Sequence, residues 1–213
     1  MKNQPYNPLD KHNLGKSIAE SMLASDVQPL PPSNFEGAGI YAIYYVGDFT
    51  PYKALKEKNL KENYSAPIYV GKAVPAGARR GGLGLDAKPG KVLFNRLADH
   101  AASIEQAKNL KLRDFKCRYL TVDDIWIPLG ESLLIEMFHP LWNHKIDGFG
   151  NHDPGAGRHK GKRSAWDVIH PGRSWADRLQ PNPKSQEAWL KEVKEFIAKG
   201  RRPETTIKIP KGV

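Results

Sequence analysis

Six polar side chains of types that could do chemistry together follow one another along the chain: Tyr41, Tyr69, Arg96, His100, Glu131 and Asn143. Hydrolysis of a phosphodiester needs an activated water, neutralised charge on the phosphoryl oxygens and a stabilised leaving alkoxide. The guanidinium of Arg96 has the fork geometry to bind two phosphoryl oxygens, which a lysine lacks. A tyrosine can act as a general base only if its pKa, ordinarily about 10, is lowered.

Each of these residues also has an ordinary structural explanation. A tyrosine in a strand is usually a packed aromatic, and a single arginine on a helix usually lies at the surface. Glu131 near the start of a helix would interact favourably with the helix macrodipole, and Glu136 is a second candidate for an acidic role. The order of the whole set, rather than any single member, favours a functional site.

The charge of the chain is lopsided, with 33 lysine and arginine residues against 23 acidic ones and a formal net charge of +10 over 213 residues. An excess of this size favours binding to polyanions, because each neutralised phosphate releases condensed counterions. We therefore expect nucleic acid as the partner, the alternative being a basic protein that binds none. The length suits one well-cored domain with appended elements.

Cysteine usage and hydropathy indicate where such a protein works. Cys117 is the single cysteine, so an internal disulfide and a thiolate zinc cluster are both impossible, and a reducing cytoplasm is expected. The N-terminus has no charged-then-apolar leader, and the chain has no long apolar run. Secretion and membrane spanning are therefore not expected.

The polar candidates lie on predicted strands and helices. Strands are predicted at 39–46, at 67–70 with Gly71 as its end, and at 116–122; the first is almost entirely apolar, which is typical of a central strand covered on both faces. Helical periodicity over 92–106 places Arg96 and His100, four residues apart, on one helix face. A helix over 129–139 would carry Glu131 in its first turn and stop at Pro140.

The remaining segments frame this centre. Residues 140–143 read as extended, and 27–35 as an extended linker because it contains three prolines. Further helices are predicted at 13–24, at 52–63 and at 186–199, the last capped by Ser185 and stopped by Gly200.

Two glycine-rich basic segments, 74–91 and 147–163, interrupt the pattern. They are either solvated surface loops or loops that order against a DNA groove. The candidate DNA-binding residues in them are Arg79, Arg80, Lys88, Lys91, Arg158, Lys160, Lys162 and Arg163.

The ordered residues carry a family resemblance. The tripeptide Gly-Ile-Tyr at 39–41, followed by Tyr-Val-Gly-Lys-Ala at 69–73, resembles the paired motif that names the GIY-YIG nuclease superfamily. Arg96 and His100 stand where that family has an arginine and, four residues on, a tyrosine or histidine. The family pattern E-x-x-L-I-x-x-x-x-P-x-x-N is matched over residues 131–143. Glu136 has the wrong spacing for this pattern, so Glu131 is preferred.

The resemblance implies an α+β fold, with a small, mainly antiparallel three-stranded sheet flanked by helices and with helical and loop embellishments at both ends. We expect an N-terminal arm and helix at 1–36 and a catalytic core at 37–145 containing a DNA-contacting insert at 74–91. A basic C-terminal extension at 146–213, ending in a helix, would pack on the same domain.

The resemblance also implies a role for each candidate. Glu131 would be the sole protein ligand of one Mg²⁺ per active site, with Mn²⁺ as a substitute, and one carboxylate plus waters suits a cation that dehydrates reluctantly. Arg96 would hold the scissile phosphate. Tyr41 would act as general base, directly or in a relay, after Lys72, Arg96 and the metal lower its pKa; His100 is a competing base or a phosphate donor. Tyr69 would position the substrate, and Asn143 would tie the helix of Glu131 to the strands.

Among GIY-YIG nucleases, the chain is most similar to type II restriction endonucleases, and in particular to those that read CCGCGG. The resemblance therefore implies an enzyme that cuts double-stranded DNA at a GC-rich palindrome, as a homodimer with two-fold symmetry, and a cognate DNA methyltransferase in the host. The alternatives are a repair or homing nuclease that nicks one strand, and a DNA-binding module without catalytic activity.

Overall fold

The computed structural model describes residues 7, 9–75, 89–155 and 160–200, and every structural statement below concerns these residues. The strands are β1 (Gln28–Pro29), β2 (Gly39–Tyr45), β3 (Tyr69–Ala73) and β4 (Phe115–Thr121). The α-helices are α1 (Lys11–Ala24), α2 (Lys53–Lys61), α3 (Val92–Gln106), α4 (Ile127–Phe138), α5 (Leu141–His144), α6 (Ala165–Ile169) and α7 (Gln186–Lys199). The predicted α+β class is confirmed, with the two-residue β1 added to the three expected strands.

All four strands form one antiparallel sheet in the order β1-β4-β2-β3. Strand β2 is central, so Tyr41 lies opposite Gly71 on one side and Tyr119 on the other. Its seven residues are all buried, because β-branched and aromatic side chains fill both faces of a covered strand. Strand β3 is an edge of the sheet.

Alternate residues of β2 enter two separate hydrophobic cores, as the two-residue period of a strand requires. Tyr41, Ile43 and Tyr45 join the first core, which contains the buried faces of α3, α5, α6 and α7. Ile40, Ala42 and Tyr44 join the second core, which packs under α1 and α4. The first core includes Phe149, Trp166 and Val193, so the C-terminal part of the chain packs on the same side of the sheet as Tyr41.

Two predicted boundaries and one predicted conformation are wrong. Strand β3 does not end at Gly71 but continues to Ala73, because Gly71 and Lys72 pair with Tyr41 and Ile40 of β2. Helix α4 begins at Ile127, so Glu131 lies in its second turn rather than its first. The segment after Pro140 is a helical turn rather than extended, since a proline is well tolerated where a helix begins.

Other predictions match closely. The bounds of α3 and α7 agree with those expected, and Ser185 caps α7 by accepting a hydrogen bond from the backbone N–H of Ala188. The 27–35 segment contributes β1, which pairs with β4. Within the ranges that the structure describes, no helix is long and apolar enough to cross a membrane.

Candidate active site

A cavity of about 870 Å³ opens beside the edge strand β3. Its lining includes Tyr41, Tyr69, Lys72, Arg96 and Glu131. The two remaining candidates, His100 and Asn143, each hydrogen-bond a residue of the two motif strands: His100 contacts Tyr41, and Asn143 contacts Val70. The structure therefore brings together the six polar side chains of the opening set and Lys72.

The position of β3 at the sheet edge explains how these side chains meet. Tyr69 packs against the first core with α3, whereas Lys72 lies three residues on and reaches Glu131 of α4. Side chains separated by an odd number of residues point to opposite faces of a strand. At an edge, no further strand separates the two faces, so groups from both sides line one cavity.

Gly71 gives Tyr41 its place in this cavity. The two residues are paired across β2 and β3, and a Cβ atom added at Gly71 would overlap the hydroxyl oxygen and ring of Tyr41. The glycine of the second motif is therefore required by the close approach of the tyrosine of the first.

Tyr41 and His100 form a buried hydrogen-bonded pair. The Tyr41 hydroxyl oxygen lies 2.6 Å from Nε2 of His100, and neither residue is more than 1% exposed. Burial, together with the positive charge of Arg96, holds the pKa of His100 well below its usual value, so the imidazole is neutral near pH 7 and can share the phenol proton.

The pKa of Tyr41 departs from the expectation. Arg96 lowers it, as expected, but burial raises it more strongly and neighbouring Tyr69 adds to the rise, so the pKa lies well above that of an ordinary tyrosine. Burial likewise raises the pKa of Tyr69 against the lowering effect of Arg96. Both phenols are therefore protonated at neutral pH.

Glu131 is one of three acidic residues that line the cavity, with Asp99 and Asp124. Its Oε2 atom lies 2.6 Å from Nζ of Lys72, and its side chain is 19% exposed. Glu136, on the same helix, is exposed and does not line the cavity. Within residues 9–75, 89–155 and 160–200, no cluster of three or more acidic, histidine or cysteine side chains could hold a metal ion. The Glu131 carboxylate is a hard oxygen donor in a roomy cavity, which suits a cation that keeps most of its waters, such as Mg²⁺.

Asn143 binds the backbone of β3 as a neighbouring strand would. Its Oδ1 atom accepts from the N–H of Val70, and its Nδ2 atom donates to the carbonyl of the same residue, both at 2.8 Å. The backbone N–H of Trp142 also donates to the carbonyl of Ile68. Helix α5, which follows α4 directly, is thereby fixed to the edge of the sheet.

Sequence reasoning missed the part of the site that comes from residues 148–152. His152 and Gly150 line the cavity and contact Arg96, and the ring of Phe149 stacks on that of His100 at 4.5 Å. The segment has no helical or strand periodicity and reads as a glycine-rich basic loop. The one sequence feature that could have indicated its role is His152, which follows closely on the end of the matched motif pattern.

The candidate DNA-binding residues are only partly placed by the structure. Arg79, Arg80, Lys88 and Arg158 lie outside the described residues. Lys91 is exposed just before α3, and Lys160 and Lys162 are also exposed. Arg163 instead donates to the carbonyl of Ala176 and pairs with Asp177, which gives it a structural role in its own segment.

The fold and the cavity define a nuclease of the GIY-YIG class: the two motif tyrosines on paired strands, an arginine on the following helix and a glutamate on the next all face one space. A family model described as the Eco29kI GIY-YIG domain matches residues 33–197. The chain therefore belongs to the Eco29kI family of GIY-YIG restriction endonucleases. Among curated proteins, no match to the chain was found.

Proposed function

We propose that the chain is a type II restriction endonuclease that hydrolyses double-stranded DNA at a GC-rich palindrome. The observation that carries this proposal is the single cavity in which Arg96, Glu131 and the buried Tyr41–His100 pair converge. A guanidinium, a carboxylate and a proton acceptor together meet the three needs of phosphodiester hydrolysis. Membership of the Eco29kI family and the net charge of +10 support DNA as the substrate.

Tyr41 acts in this proposal through a proton relay rather than as a stable phenolate. Burial raises the pKa of Tyr41, so a phenolate formed in advance would be costly. The attacking water gives its proton to the Tyr41 oxygen while the phenol proton passes to Nε2 of His100. Arg96 holds two oxygens of the scissile phosphate, and Tyr69 positions the phosphate between them.

Glu131 is the residue that would hold Mg²⁺, with water as the other ligands and with Mn²⁺ as a substitute. When bound, this cation would neutralise negative charge that develops on the phosphate and the leaving oxygen. Lys72 lies against the carboxylate, keeps it directed into the cavity and adds positive charge near the substrate. Asn143 holds the preceding helix against the sheet that carries Tyr69.

The specificity of the proposed enzyme rests on the family. Eco29kI, the enzyme that names the family, recognises CCGCGG, and we propose the same or a related GC-rich site here. Arginine and lysine are the commonest specific partners of guanine in the major groove. A palindromic site is matched by a protein with two-fold symmetry, so the enzyme would act as a homodimer. A cognate methyltransferase would protect the host DNA.

Incubation of the protein with supercoiled plasmid and Mg²⁺ tests the proposal. We expect discrete double-strand fragments whose sequenced ends share one palindrome. Nicked circles would instead indicate a repair or homing type of nuclease, and a mobility shift without cleavage would indicate a binding module.

Glu131→Ala and Glu136→Ala provide a matched pair for the metal site on one helix. We expect Glu131→Ala to bind DNA but to lose at least about 10³-fold in cleavage rate at any Mg²⁺ concentration, and Glu136→Ala to cut normally. The opposite result would transfer the metal role to Glu136.

A further inference from the structure

Arg96 is held by two acceptors that lie outside the family's sequence motifs. Its Nη1 atom lies 2.8 Å from Nε2 of His152, and its Nη2 atom donates to the carbonyl of Gly150 at 3.3 Å. A guanidinium has donors only, so Nε2 of His152 must accept. This hydrogen bond uses the His152 tautomer that carries its proton on Nδ1.

Close approach to Arg96 depends on a glycine in the same segment. A Cβ atom added at Gly150 would lie 2.9 Å from Nη2 of Arg96 and 3.2 Å from the hydroxyl oxygen of Tyr69. With any larger residue here, either the guanidinium or the segment would have to shift, so the present contact would change. The backbone at this point is thus shaped around the arginine.

The segment is anchored from beneath by a buried ion pair. Arg173 and Asp167 have side chains that are each 1% exposed, and they pair at 2.7 Å. The remaining guanidinium hydrogens of Arg173 donate to the carbonyls of Gly148, Phe149 and Asn151. One arginine thereby fixes three backbone carbonyls of the segment that leads to His152.

We propose that His152 is a positioning residue for catalysis, which fixes the fork of Arg96 in the orientation that binds the scissile phosphate. A long, flexible arginine binds the transition state best when it is already oriented, because no reorganisation is then needed during the reaction. The inference rests on the proposed nuclease function of this cavity. It extends the active site to the 148–152 segment.

Two variants of His152 test whether an acceptor at this position orients the guanidinium of Arg96. His152→Leu removes the acceptor, whereas His152→Gln places an amide oxygen near the position of Nε2. We expect His152→Leu to lower the single-turnover cleavage rate about 10- to 100-fold, with the Kd for DNA changed less than about 2-fold. His152→Gln should recover most of that rate, and His12→Leu, in α1 away from the cavity, should match the wild type.

Nuclear magnetic resonance of the arginine side chains tests the same contact without any cleavage. In the wild type, the Arg96 guanidinium should show separate Nη–H signals, because its hydrogen bonds slow rotation; Arg96→Lys assigns them. His152→Leu should average these signals, and His152→Gln should keep them separate.

The proposal is overturned if His152→Leu cuts at the wild-type rate, if His152→Gln is as slow as His152→Leu, or if the loss lies in Kd alone. It is also overturned if the Arg96 signals are averaged already in the wild type. A wild type that cuts no DNA but shows separate, His152-dependent Arg96 signals would count against the proposed function and not against this contact.

Discussion

At the scale of single residues, the environment of Tyr41 decides what this phenol can do. The same strand position that buries it also raises its pKa and places its hydroxyl 2.6 Å from a neutral imidazole. Among the residues described, His100 is thus the proton acceptor closest to hand for Tyr41. In the proposed relay, Tyr41 takes the proton of the water and His100 takes the proton of Tyr41. Both candidate bases would then take part in the same step.

Tyr41→Phe tests this relay. We expect the single-turnover rate to fall about 10²- to 10⁴-fold, as for loss of a general base, with DNA affinity retained. Combining it with His100→Gln should cost little more than the slower single variant, because residues that act as a unit are not additive.

The matched control for the relay is Tyr44→Phe, which removes a buried hydroxyl from the same strand on its other face. Multiplicative losses in the Tyr41 and His100 pair, or an equal loss from Tyr44→Phe, would refute the relay. Rates are measured with DNA bound and Mg²⁺ added last.

At the scale of elements, a very short helix fixes the sheet edge beside the candidate active site. Helix α5 is only four residues long, yet Asn143 pairs with both backbone groups of Val70. The edge of β3 is therefore covered by a side-chain amide instead of a further strand. This covering also protects an edge that would otherwise be open to another chain.

Asn143→Ala should lower the free energy of unfolding by about 1–3 kcal/mol, because it leaves the N–H and C=O of buried Val70 without their partner. Asn143→Asp keeps an oxygen that accepts from the N–H of Val70, so the hydrogen bond to that N–H should be retained. Its second oxygen would repel the carbonyl of Val70, so part of the stability should still be lost. Urea denaturation measures all three proteins; an alanine variant as stable as the wild type would show that water replaces the amide.

The buried His170 makes the stability of the fold depend on pH. Its Nε2 atom lies 2.6 Å from the Tyr52 hydroxyl and its Nδ1 atom 2.9 Å from Oδ1 of Asn109, and burial lowers its pKa to about 3. The unfolded chain takes up this proton near its ordinary pKa of about 6.5. The unfolded state therefore binds more protons between these two values, and stability falls as pH falls below about 6.5.

We expect the wild type to lose about 2 kcal/mol of unfolding free energy from this histidine between about pH 7.5 and about pH 5. His170→Gln should remove this contribution to the slope of unfolding free energy against pH. The contribution of His100, whose pKa is also lowered, should remain. Equal slopes in urea titrations of the two proteins would contradict this assignment.

At the scale of the whole molecule, the catalytic and C-terminal parts share one hydrophobic core. Phe149, Trp166 and Val193 lie in the same cluster as Tyr41 and Leu97, and Arg173 fastens the 148–152 segment to α6 through Asp167. The family match extends to residue 197. Residues that follow the nuclease motifs in the chain therefore also help to position the candidate active site.

A chain truncated after residue 145 should fail to fold cooperatively, because it leaves the first core open along one side. A chain truncated after residue 200 keeps every described residue of that core and serves as the control for the shorter fragment. Near-ultraviolet circular dichroism and urea titration distinguish them; a cooperative, stable 1–145 fragment would define an independent catalytic unit.

The sequence by itself determined the strands of the two motifs, the helix over 92–106 with Arg96 and His100 on one face, and the family. These features are local: they depend on periodicity and on spacing within a few turns of chain. Even so, local rules ended β3 at Gly71, whereas pairing with Tyr41 carries it on to Ala73.

Only the tertiary structure decided the contacts between distant segments and the electrostatics they create. His152 meets Arg96 across 56 positions of chain, and no local pattern specifies such a meeting. The direction of the shift in the Tyr41 pKa also depended on packing. The sequence supplied Arg96, which lowers this pKa, but burial in the first core removes water and outweighs it. Desolvation is a property of the assembled core, which is why the residues alone could not reveal it.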